Sequence, residues 1–165
     1  KIKKVVGIFK AYCTRVGSGP FPSELDNEVG EEIRKLGHEF GATTGRERRC
    51  GWIDIPALKY AIMINGVTEL SMMKADVLDS FKEIYVCTHY VQQGEQIDYF
   101  PFELNENTKP VFKKVSGWNQ DITKCKKEED FPKELSSYIE YLEKELEVPI
   151  SIVSVGPNRT ETIIR

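Results

Sequence analysis

The chain is short of the residues that usually mark a metal centre. It has two histidines, His38 and His89, and four cysteines, Cys13, Cys50, Cys87 and Cys125. The cysteines are widely separated, form no C-x-x-C, and have no histidine at metal-ligand spacing. Free thiols in a reducing compartment are the expectation. Basic charge is not in excess either: 23 Lys and Arg stand against 26 Asp and Glu, for a net charge of −3. That argues against nucleic acid, which calls for a basic surface. No apolar run is long enough to cross a bilayer and no signal sequence is visible, so no membrane role and a cytoplasmic location are expected. Internal repeats and low-complexity segments are missing as well. So is an initial methionine: the chain opens at Lys1 and enters an apolar run, Val5-Val6-Gly7-Ile8-Phe9, at once. It is read as a piece of a longer protein.

What remains is ordinary material for a globular protein, 40% hydrophobic and 30% charged over 165 residues. One domain, 1–165, is expected. Residues 3–16 read as one extended segment, broken by Gly17-Ser18-Gly19-Pro20-Phe21-Pro22. Leu25, Val29, Ile33 and Leu36 recur at helical spacing up to Gly37. Asp54 caps a second helix that stops at Asn65-Gly66. Residues 69–73, 84–91 and 150–153 read as strands, with 97–100 as a hairpin partner and 160–164 as a last strand. Residues 105–130 read as irregular. Pro132 opens the clearest helix, with Leu135, Ile139, Leu142 and Leu146 on one face and Pro149 as its stop. The mixture predicts an α/β fold, a mixed sheet with flanking helices and chemistry at strand C-termini.

Three runs carry chemistry. Residues 41–52 place the adjacent hydroxyls of Thr43 and Thr44, the glycines Gly41, Gly45 and Gly51, and Arg46, Arg48 and Arg49 within a dozen positions. Hydroxyls and backbone N–H groups donate to oxyanions, and arginine forks match carboxylate or phosphate. The run reads as an anion-binding loop rather than a solvated turn. Lys74-Ala75-Asp76 follows a predicted strand. A carboxylate there can accept from the N1–H and amino group of guanine, whereas adenine presents an acceptor at N1. The same aspartate could equally cap a following helical turn. Ser154-Val155-Gly156-Pro157 offers an exposed hydroxyl and a rigid ring that could frame a base, or simply a β-turn. His38 and His89 read as structural, and Trp52 and Trp118 as packing residues.

In sequence order, Val16–Leu25, Gly37–Arg46, Lys74–Asp79, Gly117-Trp118 and Ser154–Thr162 resemble the adenylosuccinate synthetase family. The resemblance spans nearly the whole chain and corresponds to the C-terminal part of that P-loop-related fold. It implies a GTP-dependent ligase of purine (AMP) biosynthesis that joins IMP and L-aspartate. The purine 6-oxygen is phosphorylated first, and the aspartate amine then displaces that phosphate. Ala42, Thr43, Thr44, Gly45, Arg46, Glu47 and Arg48 would form the aspartate loop. Arg46 and Val16 would face IMP. Arg48, Lys74, Ala75, Asp76, Ser154, Val155, Gly156 and Pro157 would bind GTP.

Met73 and Ala75 stand where the family has threonine and leucine, and Val155 where threonine is common. By the same resemblance, the catalytic base and acid, the phosphate loop and the contacts to Mg2+ belong to an N-terminal part outside this chain. No catalytic or metal-binding residue is expected here, and the chain alone is expected to be inactive. Its own N-terminal part and a second copy, as a homodimer, are the implied partners. The alternative is a stand-alone guanine-nucleotide-binding module without catalysis.

Overall fold

Alternating apolar and polar stretches of the chain become ten strands and three helices in the computed structural model, which describes residues 2–165. In chain order these are β1 (Val6–Lys10), β2 (Cys13–Arg15), α1 (Glu28–Leu36), β3 (Arg49–Gly51), β4 (Ile53–Asp54), α2 (Ile55–Asn65), β5 (Glu69–Met73), β6 (Glu83–Gln92), β7 (Glu95–Ile97), β8 (Lys109–Ser116), α3 (Lys133–Leu146), β9 (Ile150–Ser154) and β10 (Thr162–Ile164). The class is α/β, as expected. The chain divides into two compact units. One holds the residues up to Ala11, Leu58–Ile84 and Val115–Arg165; the other holds Tyr12–Ala57 and Tyr85–Lys114.

The first unit is built on a sheet of order β1-β5-β9-β10. β1, β5 and β9 run parallel, with Phe9 opposite Met72 and Met72 opposite Val153, and β10 returns antiparallel to β9. Leu70, Met72, Ile150 and Val153 are buried, as the near-continuous apolar runs of parallel strands require. The long helix α3 buries Leu135, Ile139, Leu142 and Leu146, the predicted face, and Tyr138 with them. Tyr138 donates its hydroxyl to Ala11 O at 2.8 Å. Glu143 accepts from Ile150 N at 2.7 Å and from Arg165 at 2.8 Å, which ties the end of α3 to the start of β9.

β1 ends the sheet order among the described residues, and Ile8 on it is 77% exposed. Beside it, a groove of about 310 Å³ is lined by Val5–Phe9, Leu58, Ala61, Ile62, Asn65, Val67 and Leu70.

The second unit holds an antiparallel β2–β3 pair and a sheet in which β6 pairs with β4, β7 and β8. Gln93 and Gly94, both at positive φ, close the β6–β7 hairpin, as two-residue hairpin turns demand. Asn27 caps α1 by accepting from Val29 N and Gly30 N. Gly30 is a glycine because a Cβ there would fall 1.9 Å from Leu25 O. Asp54 caps α2 by accepting from Ala57 N at 3.1 Å and takes the buried Tyr90 hydroxyl at 2.7 Å. Burial pushes the Asp54 carboxyl up against these two bonds, and pushes the Tyr90 phenol and the Cys87 thiol up as well.

The hairpin partner of β6 lies at 95–97 rather than 97–100, and two larger expectations change. Residues 3–16 are not one strand: the chain breaks at Ala11-Tyr12, and β1 and β2 join different sheets. Residues 109–116 are not irregular but form β8. Its lysines and half-exposed residues give no apolar alternation, and its order comes from pairing with β6.

Candidate functional site

The parallel neighbours β5 and β9 end side by side, so Lys74–Asp76 and Ser154–Pro157 leave the sheet at the same edge. This is where open α/β sheets place their ligands. Lys74 turns the chain with φ 60, a left-handed conformation that a non-glycine residue adopts at a cost of about 1–3 kcal/mol. A single helical turn, Ala75–Leu78, follows. Lys74 occupies its cap position, so Asp76 is not the cap; it lies inside the turn with its carboxylate half-buried. No side chain among the described residues donates to that carboxylate. Burial raises its proton affinity, Lys74 opposes this, and Glu161 adds to it.

Ala75 is fully buried and packs rather than presenting itself. Ser154 is also buried: its hydroxyl donates to Gly156 O at 2.9 Å, so the expected exposed hydroxyl is corrected to an internal brace. The Val155 side chain lies wholly in the core, and its N–H donates to Glu161 O at 2.8 Å. Only Pro157 of that run is exposed. A threonine at 155 would therefore bury its hydroxyl, which gives the valine a packing rationale.

Asp79 closes this turn and was not singled out in the sequence. It accepts from Trp118 Nε1 at 2.8 Å and from Ile122 N at 3.1 Å, and burial pushes its carboxyl up to about 6. Trp118 thus has a polar task beside its packing against Tyr138, 5.8 Å away between ring centroids.

The 41–49 run, in the second unit, is a tight hairpin. Phe40 and Glu47 form a bridge, Gly41 N donates to Arg46 O, and Gly45 N donates to Gly41 O, both at 2.8 Å. Ala42, Thr43, Thr44, Gly45 and Arg46 form its exposed tip, with Gly45 at φ 64 and Thr44 Oγ1 accepting from Arg46 N at 3.3 Å. Among the described residues no carboxylate pairs with the Arg46 guanidinium.

The other two arginines are committed. Arg48 Nη1 binds the fully buried Glu39 at 2.7 Å, and Glu39 also takes the Tyr12 hydroxyl at 2.6 Å. Arg49 grips both oxygens of Glu24, donates to Gly17 O and Gly19 O, and lies over the Phe21 ring. Glu47 meets Arg34 at 3.5 Å. Of the two arginines expected to face ligand, Arg46 is open and Arg48 is held by Glu39; Arg49, for which no ligand was expected, is held by Glu24. Val16 is exposed beyond the end of β2. The tip can thus present a guanidinium, two hydroxyls and backbone N–H groups to an oxyanion.

His38 is exposed at φ 49, and His89 Nδ1 lies 2.9 Å from Thr88 Oγ1; neither belongs to either cluster. No group of three or more His, Cys, Asp or Glu among the described residues is arranged to hold a metal ion such as the implied Mg2+. No described helix is long and apolar enough to cross a membrane.

The chain is similar to known proteins along its whole length. The chain is 59% identical to an adenylosuccinate synthetase of Phocaeicola vulgatus and 57% identical to one of Bacteroides fragilis, in each case over all of this chain and 39% of the relative. It therefore spans about two fifths of the length of the curated relatives it matches. Its fold superposes on a fully ligated adenylosuccinate synthetase from Plasmodium falciparum with a TM-score of 0.94 at 41% identity, covering 99% of this chain and 40% of that one. The sequence model of adenylosuccinate synthetase matches residues 1–163, and the chain belongs to that family.

Proposed function

We propose that this chain supplies the aspartate-binding loop and the guanine-reading strand ends of a GTP-dependent ligase that joins IMP and L-aspartate into adenylosuccinate, on the route to AMP. The observation that carries the reading is Asp76: a half-buried carboxylate at the shared end of two parallel strands, with no side-chain donor of its own. A guanine edge brings two donors to such an acceptor. Adenine would bring its N1 acceptor and leave the carboxylate unpaired, the situation that makes polar sites selective.

Lys74 lies beside Asp76, where its stem can cover the base, and Gly156 and Pro157 flank the neighbouring strand end. At the 41–49 tip, Thr43, Thr44, Arg46 and the backbone of Ala42 and Gly45 hold the carboxylates of aspartate. Arg46 and Val16 face IMP. Arg46 further supplies positive charge for a transferring phosphoryl group, whose transition state is stabilised by position and charge. The hairpin bonds at Gly41 and Gly45 give the tip a fixed base from which it closes on substrate.

The motif order supports assigning the chain to the C-terminal part of the enzyme. The catalytic base, the acid, the phosphate loop and the Mg2+ contacts then lie in its N-terminal part. The parent is a cytoplasmic homodimer, and the chain alone gives no adenylosuccinate from IMP, aspartate and GTP. The test of the site is a titration of the 15N-labelled chain with GDP and, separately, ADP at millimolar concentration. Shifts at 74–76 and 154–157 with GDP only are expected. Equal responses to both nucleotides, or none to either, overturn the guanine reading.

A further inference from the structure

The loop that leaves β9 is organised around one acid. The Glu161 carboxylate accepts from Asn158 N at 2.8 Å and from Asn158 Nδ2 at 3.0 Å. Glu161 N donates to Asn158 O at 2.9 Å, and Val155 N donates to Glu161 O at 2.8 Å. The same carboxylate folds over Gly156: a Cβ there would lie 2.4 Å from Oε2 and 2.8 Å from Cδ of Glu161. A side chain at 156 would therefore have to displace the Glu161 carboxylate, and Gly156 is not set by a left-handed backbone. The hydrogen bonds from Asn158 lower the proton affinity of Glu161, and the Glu161 charge raises that of Asp76. The β-sheet does not need any of this, because β9 is already fixed by backbone ladders to β5 and β10.

We propose that Glu161 is a positioning residue for the purine base. It holds residues 155–158 in one shape beside Asp76, and it places a second negative charge at the same strand ends. That charge favours a ligand edge made of donors and disfavours one that carries an acceptor. The role rests on the reading of these strand ends as a guanine site, and it adds a residue that touches the loop rather than the base. Gly156, Asn158 and Glu161 then form one unit: the glycine makes room for the acid, and the acid holds the loop that the glycine begins.

The experiment uses the same labelled chain with two readouts, amide hydrogen exchange across 155–161 and titration with GDP and ADP. Glu161→Ala is expected to speed exchange at Val155 and Asn158 and to weaken GDP binding about tenfold, the scale of losing hydrogen bonds to a charged group. Glu161→Gln keeps one acceptor oxygen in place of two, so it is expected to restore loop order in part while narrowing the preference for GDP over ADP. Gly156→Ala is expected to weaken GDP binding in the unsubstituted chain but to add little in the Glu161→Ala background, where the obstructing carboxylate is gone. Unchanged exchange and GDP affinity in Glu161→Ala overturn the proposal, and so do additive losses in the double variant. If the unsubstituted chain shows no GDP response, the guanine reading fails and the base-positioning role falls with it. If that response is present and insensitive to Glu161, only the role of Glu161 fails.

Discussion

Arg46, Arg48 and Arg49 lie within four positions of one another, and their neighbours give them different work. Arg48 neutralises the buried Glu39, and Arg49 is clamped by Glu24. Replacing Arg48 by leucine takes the cationic partner from a buried carboxylate that keeps the Tyr12 hydroxyl, which is expected to cost about 1–3 kcal/mol in denaturant unfolding. Arg46→Leu removes an exposed side chain and is expected to stay within about 0.5 kcal/mol of the parent. In the family-length enzyme that carries this segment, Arg46→Leu should instead lower turnover and raise the aspartate KM. A normal aspartate KM and turnover in that variant would refute its assignment.

The sequence could not separate these arginines, because their partners lie 9 and 25 residues away and meet them only through the fold. The Thr43-Thr44 tip was legible because glycines and paired hydroxyls are a local signal. Asp79 shows the same limit: its partners, Trp118 and Ile122, lie far along the chain. Its carboxyl sits at about 6 in the folded state, above the ordinary value of 3.8, so the folded chain binds more protons between those values. Its contribution to stability is therefore present in acid and is lost as pH rises from about 4 to 6. Asp79→Asn should remove that fall in a comparison of unfolding at pH 4 and pH 7; an unchanged pH dependence would refute it.

At the scale of elements, the helices, the central strands and the last strand β10 were readable, and β8 and the break between β1 and β2 were not. α3 and β5 follow from periodicity and apolar runs alone. β8 carries lysines on an edge, and the division of 3–16 into β1 and β2 depends on which sheet each half joins. β1 is the element with unfinished contacts: Ile8 and Val6 on it are exposed, and so are Tyr60, Met63 and Ile64 of α2. An exposed apolar edge strand is a template for pairing with another chain. The isolated chain is expected to self-associate with rising concentration in sedimentation experiments. Ile8→Lys should suppress this and preserve the circular dichroism spectrum. Equal association of the two proteins would count against β1 as the sticking edge.

At the scale of the molecule, the order of motifs along the chain was the readable part, and it agrees with the family the chain belongs to. Strand-end geometry added what order alone could not supply. It removes the capping alternative for Asp76, turns Ser154 inward, and brings Glu161 to Gly156. The central claim is that Asp76 reads the donor edge of guanine. The most direct measurement is the nucleotide preference of the family-length enzyme carrying Asp76→Asn. Its kcat/KM with GTP should fall at least about tenfold. Xanthosine triphosphate, whose 2-oxygen can accept from the new amide, should become the better substrate. GTP kinetics that match the parent, with no gain for the xanthine nucleotide, would contradict the account.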